Sequence, residues 1–224
     1  MWQLKNNLFS DKDFPYMNLT TTKILGNMKD SGVRENFCRG NSIDPSSLVT
    51  AEQVHGKKIA AVDKASRGKK VPDCDGLITA EPGLALGIFT ADCMPIFLGS
   101  KNGTLAGLVH AGWRGLSIGI IQEAVNIFEN NFNVKPNDIS VLIGPHIQNC
   151  CYEVSDDLKK IFGLNKEENK LDLSAVAVKI FLELGVKDIS LNPGCTCHET
   201  KEYFSYRNEK TEKRMMSLVM IKKR

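Results

Sequence analysis

The sequence predicts an α/β fold built as a single domain over residues 1–224. Two observations carry that reading. Short apolar runs of strand length alternate with segments of helical period, and no repeat, low-complexity tract or linker interrupts them. The chain is also 42% hydrophobic over 224 residues, enough for one well-buried domain.

In chain order, residues 1–47 read as irregular, with Phe14 to Leu19 a short extended piece. A helix is expected from about Lys29 to Cys38, weakened by Gly32. Leu48 to His55 reads as a strand, with Lys58 to Val62 as its hairpin partner across Gly56-Lys57. A polar loop follows, ending in Asp73-Cys74-Asp75-Gly76. Leu84 to Thr90 is nearly continuous apolar, as in a strand buried on both faces. The runs Thr90 to Leu98 and Thr104 to His110 flank a turn holding Asn102-Gly103 and read as a second hairpin. A glycine-rich turn, Ala111 to Gly115, leads into a helix from Leu116 to Phe128 with apolar residues at 116, 120, 121, 124, 125 and 128. Ile139 to Ile143 is a strand, and a helix from Ser155 to Phe162 takes Ser155 as its N-cap. Asp172 to Leu184 is an amphipathic helix stopped by Gly185. Val186 to Leu191, Tyr203 to Arg207 and Met215 to Ile221 complete the strands.

The central hairpin carries one of seven cysteines and one of four histidines. If its turn centres between Lys101 and Asn102, Cys93 lies opposite His110. If Asn102-Gly103 is the two-residue loop, the two are diagonal neighbours. Both registers put the side chains on one face, with Cβ atoms roughly 4.5–8 Å apart. A thiol and an imidazole so placed can share a metal or form a nucleophile–base pair. His55, at the end of its own strand, is the candidate third member. A His/Cys/His set makes a zinc site of the catalytic kind, with one position left open. Asp75 is the carboxylate suited to acid/base work or to orienting a ligand, while Asp92 points the other way on a regular strand or holds a turn or backbone group. Arg114, at a glycine-rich helix start, marks a candidate anion site.

Other cysteines and histidines read more weakly. Cys150-Cys151 would strain to chelate one ion together and reads as structural. Cys195-Thr196-Cys197-His198 is metal-like, but its spacing is too short for a standard zinc ribbon. His146 follows Gly144-Pro145 and could line a pocket.

A net charge of +3 is too weak to argue for nucleic acid, and none is expected as a partner. No signal-peptide core and no run of about 18 apolar residues appears, so no membrane span is expected. An odd number of scattered cysteines fits a reduced, cytoplasmic chain.

Seven segments carry a resemblance to a known family: QVHG at 53–56, DCDGLIT at 73–79, TADCMPIFL at 90–98, VHAGWRG at 109–115, IGPHIQNCCYEV at 143–154, LDL at 171–173 and FSYR at 204–207. The chain resembles the bacterial YfiH-type family, once called laccase-like or polyphenol oxidase. That resemblance implies a four-layer α/β/β/α sandwich, distantly shared with toxin-type cysteine hydrolases. It implies zinc bound by His55, Cys93 and His110. It implies phosphorolysis of adenosine, inosine, guanosine and S-methyl-5′-thioadenosine, and hydrolytic deamination of adenosine. The partners are then purine nucleosides and phosphate, for a monomer or homodimer. Within that reading Cys93, Asp75 and Arg114 are the catalytic candidates. Arg114 and Arg207 are the phosphate-binding candidates. The family's Asn-Arg pair before the first strand is Asn36-Phe37 here, with Arg34 or Arg39 as stand-ins.

Two rival activities fit the same residues. One is a metal-free cysteine hydrolase with Cys93 as nucleophile and His110 as base, of which action in peptidoglycan precursor editing is a version the resemblance implies. The other is a copper polyphenol oxidase, for which four histidines in the chain are few.

Overall fold

The computed structural model describes residues 2–165 and 167–223. Its elements are β1 (Trp2–Lys5), β2 (Leu8–Asp11), β3 (Met17–Thr21), α1 (Ser31–Gly40), β4 (Leu48–Ala51), β5 (Ile59–Ala61) and β6 (Lys70–Val71). There follow β7 (Gly76–Thr79), β8 (Ala85–Thr90), β9 (Met94–Ser100), β10 (Ala106–Ala111), α2 (Trp113–Ser117) and α3 (Ile120–Phe132). The chain continues through β11 (Ile139–Ile143), α4 (Asp156–Phe162), α5 (Leu173–Glu183), β12 (Asp188–Leu191), α6 (Tyr206–Glu209) and β13 (Met215–Met220). One sheet has the order β1-β2-β3-β13-β8-β4-β6, the other β12-β11-β9-β10-β7-β5.

Side-chain alternation sorts the core into layers. On β10, Leu108 faces the first sheet, where it joins Phe97, Leu77, Leu86, Ile88 and Val219. Its neighbour Val109 faces outward, where α3 and α5 cover it with Ile121, Phe128 and Phe181. The far side of the first sheet offers Ala85, Met216 and Leu218 to Phe37 and Cys38 of α1. The expected four-layer α/β/β/α arrangement is therefore present, with every residue of β9 and β10 buried.

Several local expectations give way to long-range pairing. Residues 1–47 are not irregular: β1 to β3 form an antiparallel ribbon joined to the sheet through β13, although Met1 lies outside the described residues. The strand expected from Leu48 to His55 ends at Ala51, and the strand expected at Lys58 to Val62 forms as β5 but does not pair with it. Instead β4 pairs in parallel with β8, while β5 pairs in parallel with β7 in the other sheet. The segment 52–58 crosses between sheets, so it cannot remain extended.

The run Thr90 to Leu98 likewise divides. β8 closes in the first sheet, Asp92 takes a left-handed φ of 86°, and β9 opens in the second sheet. The helix expected from Leu116 to Phe128 is broken at Gly119, whose φ of 90° separates α2 from α3. The strand expected at Tyr203 to Arg207 is instead a bend leading into α6, capped by Ser205, which accepts from Asn208 N. Ser155 holds the N-cap position of α4 without a side-chain cap.

Candidate metal centre and cleft

The central hairpin forms with His110 opposite Pro95, which makes Cys93 and His110 diagonal neighbours. Cys93 lies one residue before β9 and His110 on β10, at the rim of the second sheet. His55 arrives from the crossing segment in a left-handed conformation, φ 61°. One ligand atom from each of His55, Cys93 and His110 lies within 4.8 Å of the others. The two imidazoles meet edge to face, with ring centroids 4.8 Å apart.

Asp75 explains how an irregular segment reaches this point. Its fully buried carboxylate accepts from Val54 N at 3.1 Å, His55 N at 3.0 Å and Gly56 N at 2.7 Å. It also accepts from His110 Nδ1 at 2.8 Å. The carboxylate thus sets the His110 tautomer, leaving Nε2 as the available ligand atom. Burial opposes ionisation of Asp75, but the His110 bond and these backbone donors hold its pKa below the usual carboxylate value. All four of its acceptor positions are engaged, which suits orienting a ligand better than carrying a proton.

Cys93 and His110 polarise each other. Burial would raise the thiol, yet the charge of His110 and hydrogen bonds from His110 and His55 bring it down to about 6. Burial would lower His110, yet the Cys93 thiolate and Asp75 raise it to about 9. This is a thiolate–imidazolium pair, or, with a proton released, a thiolate and a neutral imidazole ready to bind a metal. Thiolate with two imidazoles fits zinc, so the donor set suits the ion implied by the resemblance. Gly112 makes room for it, because a Cβ there would stand 2.9 Å from Cys93 Sγ.

These residues open onto a cleft of about 1570 Å³ that Arg114, Arg207, Tyr152 and Phe89 also line. The helix after the glycine turn starts at Trp113, not near Leu116, and spans five residues. The helix start therefore lies three residues before Leu116, and Arg114 lies over the Trp113 ring at 4.5 Å. Arg207 lies over Tyr152 at 5.0 Å and donates from its guanidinium to Glu153 O at 2.9 Å. Arg34 lies over Phe89 at 5.6 Å, and both Arg34 and Arg39 line the cleft, whereas Phe37 is buried in the outer core.

Asp92 holds the neighbouring loops. Its carboxylate accepts from Thr196 Oγ1 at 2.7 Å and from Arg207 N at 2.6 Å. Thr196 and Tyr152 are therefore part of this site's frame, although no local pattern distinguishes them. Burial pushes Tyr152 up to about 12, so its hydroxyl keeps its proton. His146 lies outside the cleft, buried against the carbonyl of Gly144 at 2.9 Å. Among the described residues, no helix is long and apolar enough to cross a membrane.

Residues 5–222 match a family profile described as multi-copper polyphenol oxidoreductase laccase. The chain is 32% identical over 222 residues to purine nucleoside phosphorylase YfiH of Shigella flexneri, covering 92% of this chain and 88% of that one. It is 34% identical over 200 residues to purine nucleoside phosphorylase YlmD of Geobacillus stearothermophilus, covering 76% and 71% respectively. The crystal structure of the hypothetical protein YfiH from Bacillus licheniformis superposes with a TM-score of 0.92 at 25% identity, covering 99% of both chains. That of YlmD from Geobacillus stearothermophilus gives 0.91 at 29% identity, again covering 99% of both.

Proposed function

The chain belongs to the family described as multi-copper polyphenol oxidoreductase laccase, the YfiH-type family, and from that premise we propose that it is a zinc-dependent purine nucleoside phosphorylase. The observation that carries this reading is the convergence of His55, Cys93 and His110 at a cleft that also presents Arg114 and Arg207. The substrates proposed are adenosine, inosine, guanosine and S-methyl-5′-thioadenosine, with hydrolytic deamination of adenosine as a second outcome. Zinc at the three ligands would supply Lewis acidity toward the purine or the attacking oxygen.

The side chains divide the remaining work. Phosphorolysis requires a phosphate beside C1′ of the ribose, and the guanidinium groups of Arg114 and Arg207 supply charge and paired donors for it. Tyr152, protonated at neutral pH and set in the cleft wall, supports the Arg207 guanidinium on its ring and offers a hydroxyl donor. Asp75 acts through His110 and the 54–56 backbone, as a positioning residue.

The test is to incubate the purified protein with adenosine, with and without phosphate, and to measure adenine, inosine and hypoxanthine separately. Phosphate-dependent adenine release is expected, with inosine formed independently of phosphate. Absence of every product rules the proposal out.

One observation favours a second reading, a metal-free cysteine hydrolase: the lowered Cys93 thiol beside His110 has the arrangement of a nucleophile and its base. Metal analysis separates the two, since stoichiometric zinc leaves no free thiolate to attack. A multi-copper oxidase fits less well. Of the four histidines, His55 and His110 alone reach the Cys93 cluster.

A further inference from the structure

The fold joins two segments that looked unpromising separately. Residues 146–151 follow β11, and residues 195–198 follow β12. They run side by side, with His146 and Cys195 in a parallel bridge and Thr196 N donating to His146 O at 3.0 Å. The sequence expects strain if adjacent cysteines share one ion, but here the Cys150 and Cys151 sulfurs already lie 3.5 Å apart. The Cys195 sulfur lies 3.5 Å from that of Cys150 and accepts from Gln148 N. One ligand atom each from Cys150, Cys151 and His198 lies within 4.8 Å of the other two.

We propose that Cys150, Cys151 and His198, with Cys195 as fourth donor, bind a second soft divalent metal of the zinc class. A tetrahedral zinc–thiolate site has sulfurs about 3.8 Å apart, given Zn–S bonds of about 2.3 Å. The Cys150–Cys151 and Cys150–Cys195 sulfur separations of 3.5 Å are close to that edge, and His198, within 4.8 Å of Cys150 and Cys151, would close in on binding. Binding would displace the thiol protons to solvent and leave the metal with thiolate and imidazole ligands. The Lys170 ammonium, which donates to Cys150 O at 2.7 Å, offsets part of the added negative charge. Four protein donors close the coordination shell, so the site is structural.

Its position defines its effect. One tied segment carries Tyr152 on the cleft wall. The other carries Thr196, which holds Asp92 beside Cys93. A metal here would staple two loops that otherwise depend on backbone pairing, stiffening one wall of the cleft.

The experiment uses the full chain with Cys93→Ser, which removes the thiolate of the first centre, loaded with zinc and passed over a weak chelator. About one zinc per chain should remain, and it should be lost in Cys93→Ser/Cys150→Ser/Cys151→Ser. Cobalt(II) in place of zinc should give a thiolate charge-transfer band that falls by about a third with Cys150→Ser alone. Cys150 and His198 are exposed, so Cys150→Ser and His198→Ala test the site without disturbing the core. Zinc should leave the His198→Ala protein on the order of 10-fold faster. A metal-free Cys93→Ser protein overturns the proposal. So does unchanged zinc after loss of both Cys150 and Cys151, or a Cys150–Cys195 or Cys150–Cys151 disulfide in freshly purified protein. None of these readouts depends on catalysis, so the proposed nucleoside chemistry can fail without deciding this question.

Discussion

Asp75 is the residue on which the candidate centre depends. It satisfies three successive backbone N–H groups of a segment that belongs to neither sheet, and it aims His110. Asp75→Asn should be severe, because the amide nitrogen must face two N–H donors whichever way it is turned. Zinc affinity should fall on the order of 10–100-fold, measured by competition with a chromogenic chelator. Gly112→Ala should lower metal content without touching a ligand, since its Cβ would meet Cys93 Sγ at 2.9 Å. In the metal-free protein, Cys93 should be alkylated rapidly down to a pH of about 6, where an ordinary thiol of pKa about 8.5 has become inert. The sign follows from the lowered pKa: thiolate persists below the usual value and is lost as pH falls through about 6. Mass mapping of iodoacetamide labelling against pH checks this, and a profile centred near the ordinary thiol value would refute the His110 pairing.

At the scale of elements, the strands and helices that proved legible were those whose signal is local. The central hairpin, the strand at Ile139–Ile143 and the helix after Asp172 each carry their own period, turn or cap. Helix α1 shows the same logic, with Asp30 accepting from Gly32 N at 2.9 Å and Val33 N at 3.1 Å. Asp30→Ala should cost about 1 kcal/mol, read from the denaturant midpoint. The elements that misled lack such signals. The apolar period runs unbroken from Leu116 through Phe128, yet Gly119 is left-handed and splits the helix. Thr90 to Leu98 looks continuous, yet it changes sheets at Asp92, because the break depends on which neighbours each half pairs with. Tyr203 to Arg207 has strand composition, but packing of Tyr203 into the core and the Asp92 bond to Arg207 N bend it away.

For the whole molecule, the decisive layer is the one between the sheets. Phe97 on β9 packs there with Leu77, Leu86 and Leu108 from the two sheets and with Phe14 from the segment between β2 and β3. Phe97→Ala should destabilise the fold by about 3–5 kcal/mol, lowering the urea midpoint with little change in slope. Because β9 and β10 also carry the rim on which Cys93 and His110 sit, zinc should protect the variant in proportion to its occupancy. The α/β class, the central hairpin and the identity of the soft donors near it were legible in local pattern. Each of those rests on residues a few positions apart, where side-chain period and turn chemistry act directly. Long-range packing put β4 and β5 in different sheets, brought His55 in on the strap held by Asp75, and set Cys150 and Cys151 near Cys195 and His198. Those outcomes depend on pairing between strands distant in sequence and on burial in a common core, and no local pattern records them.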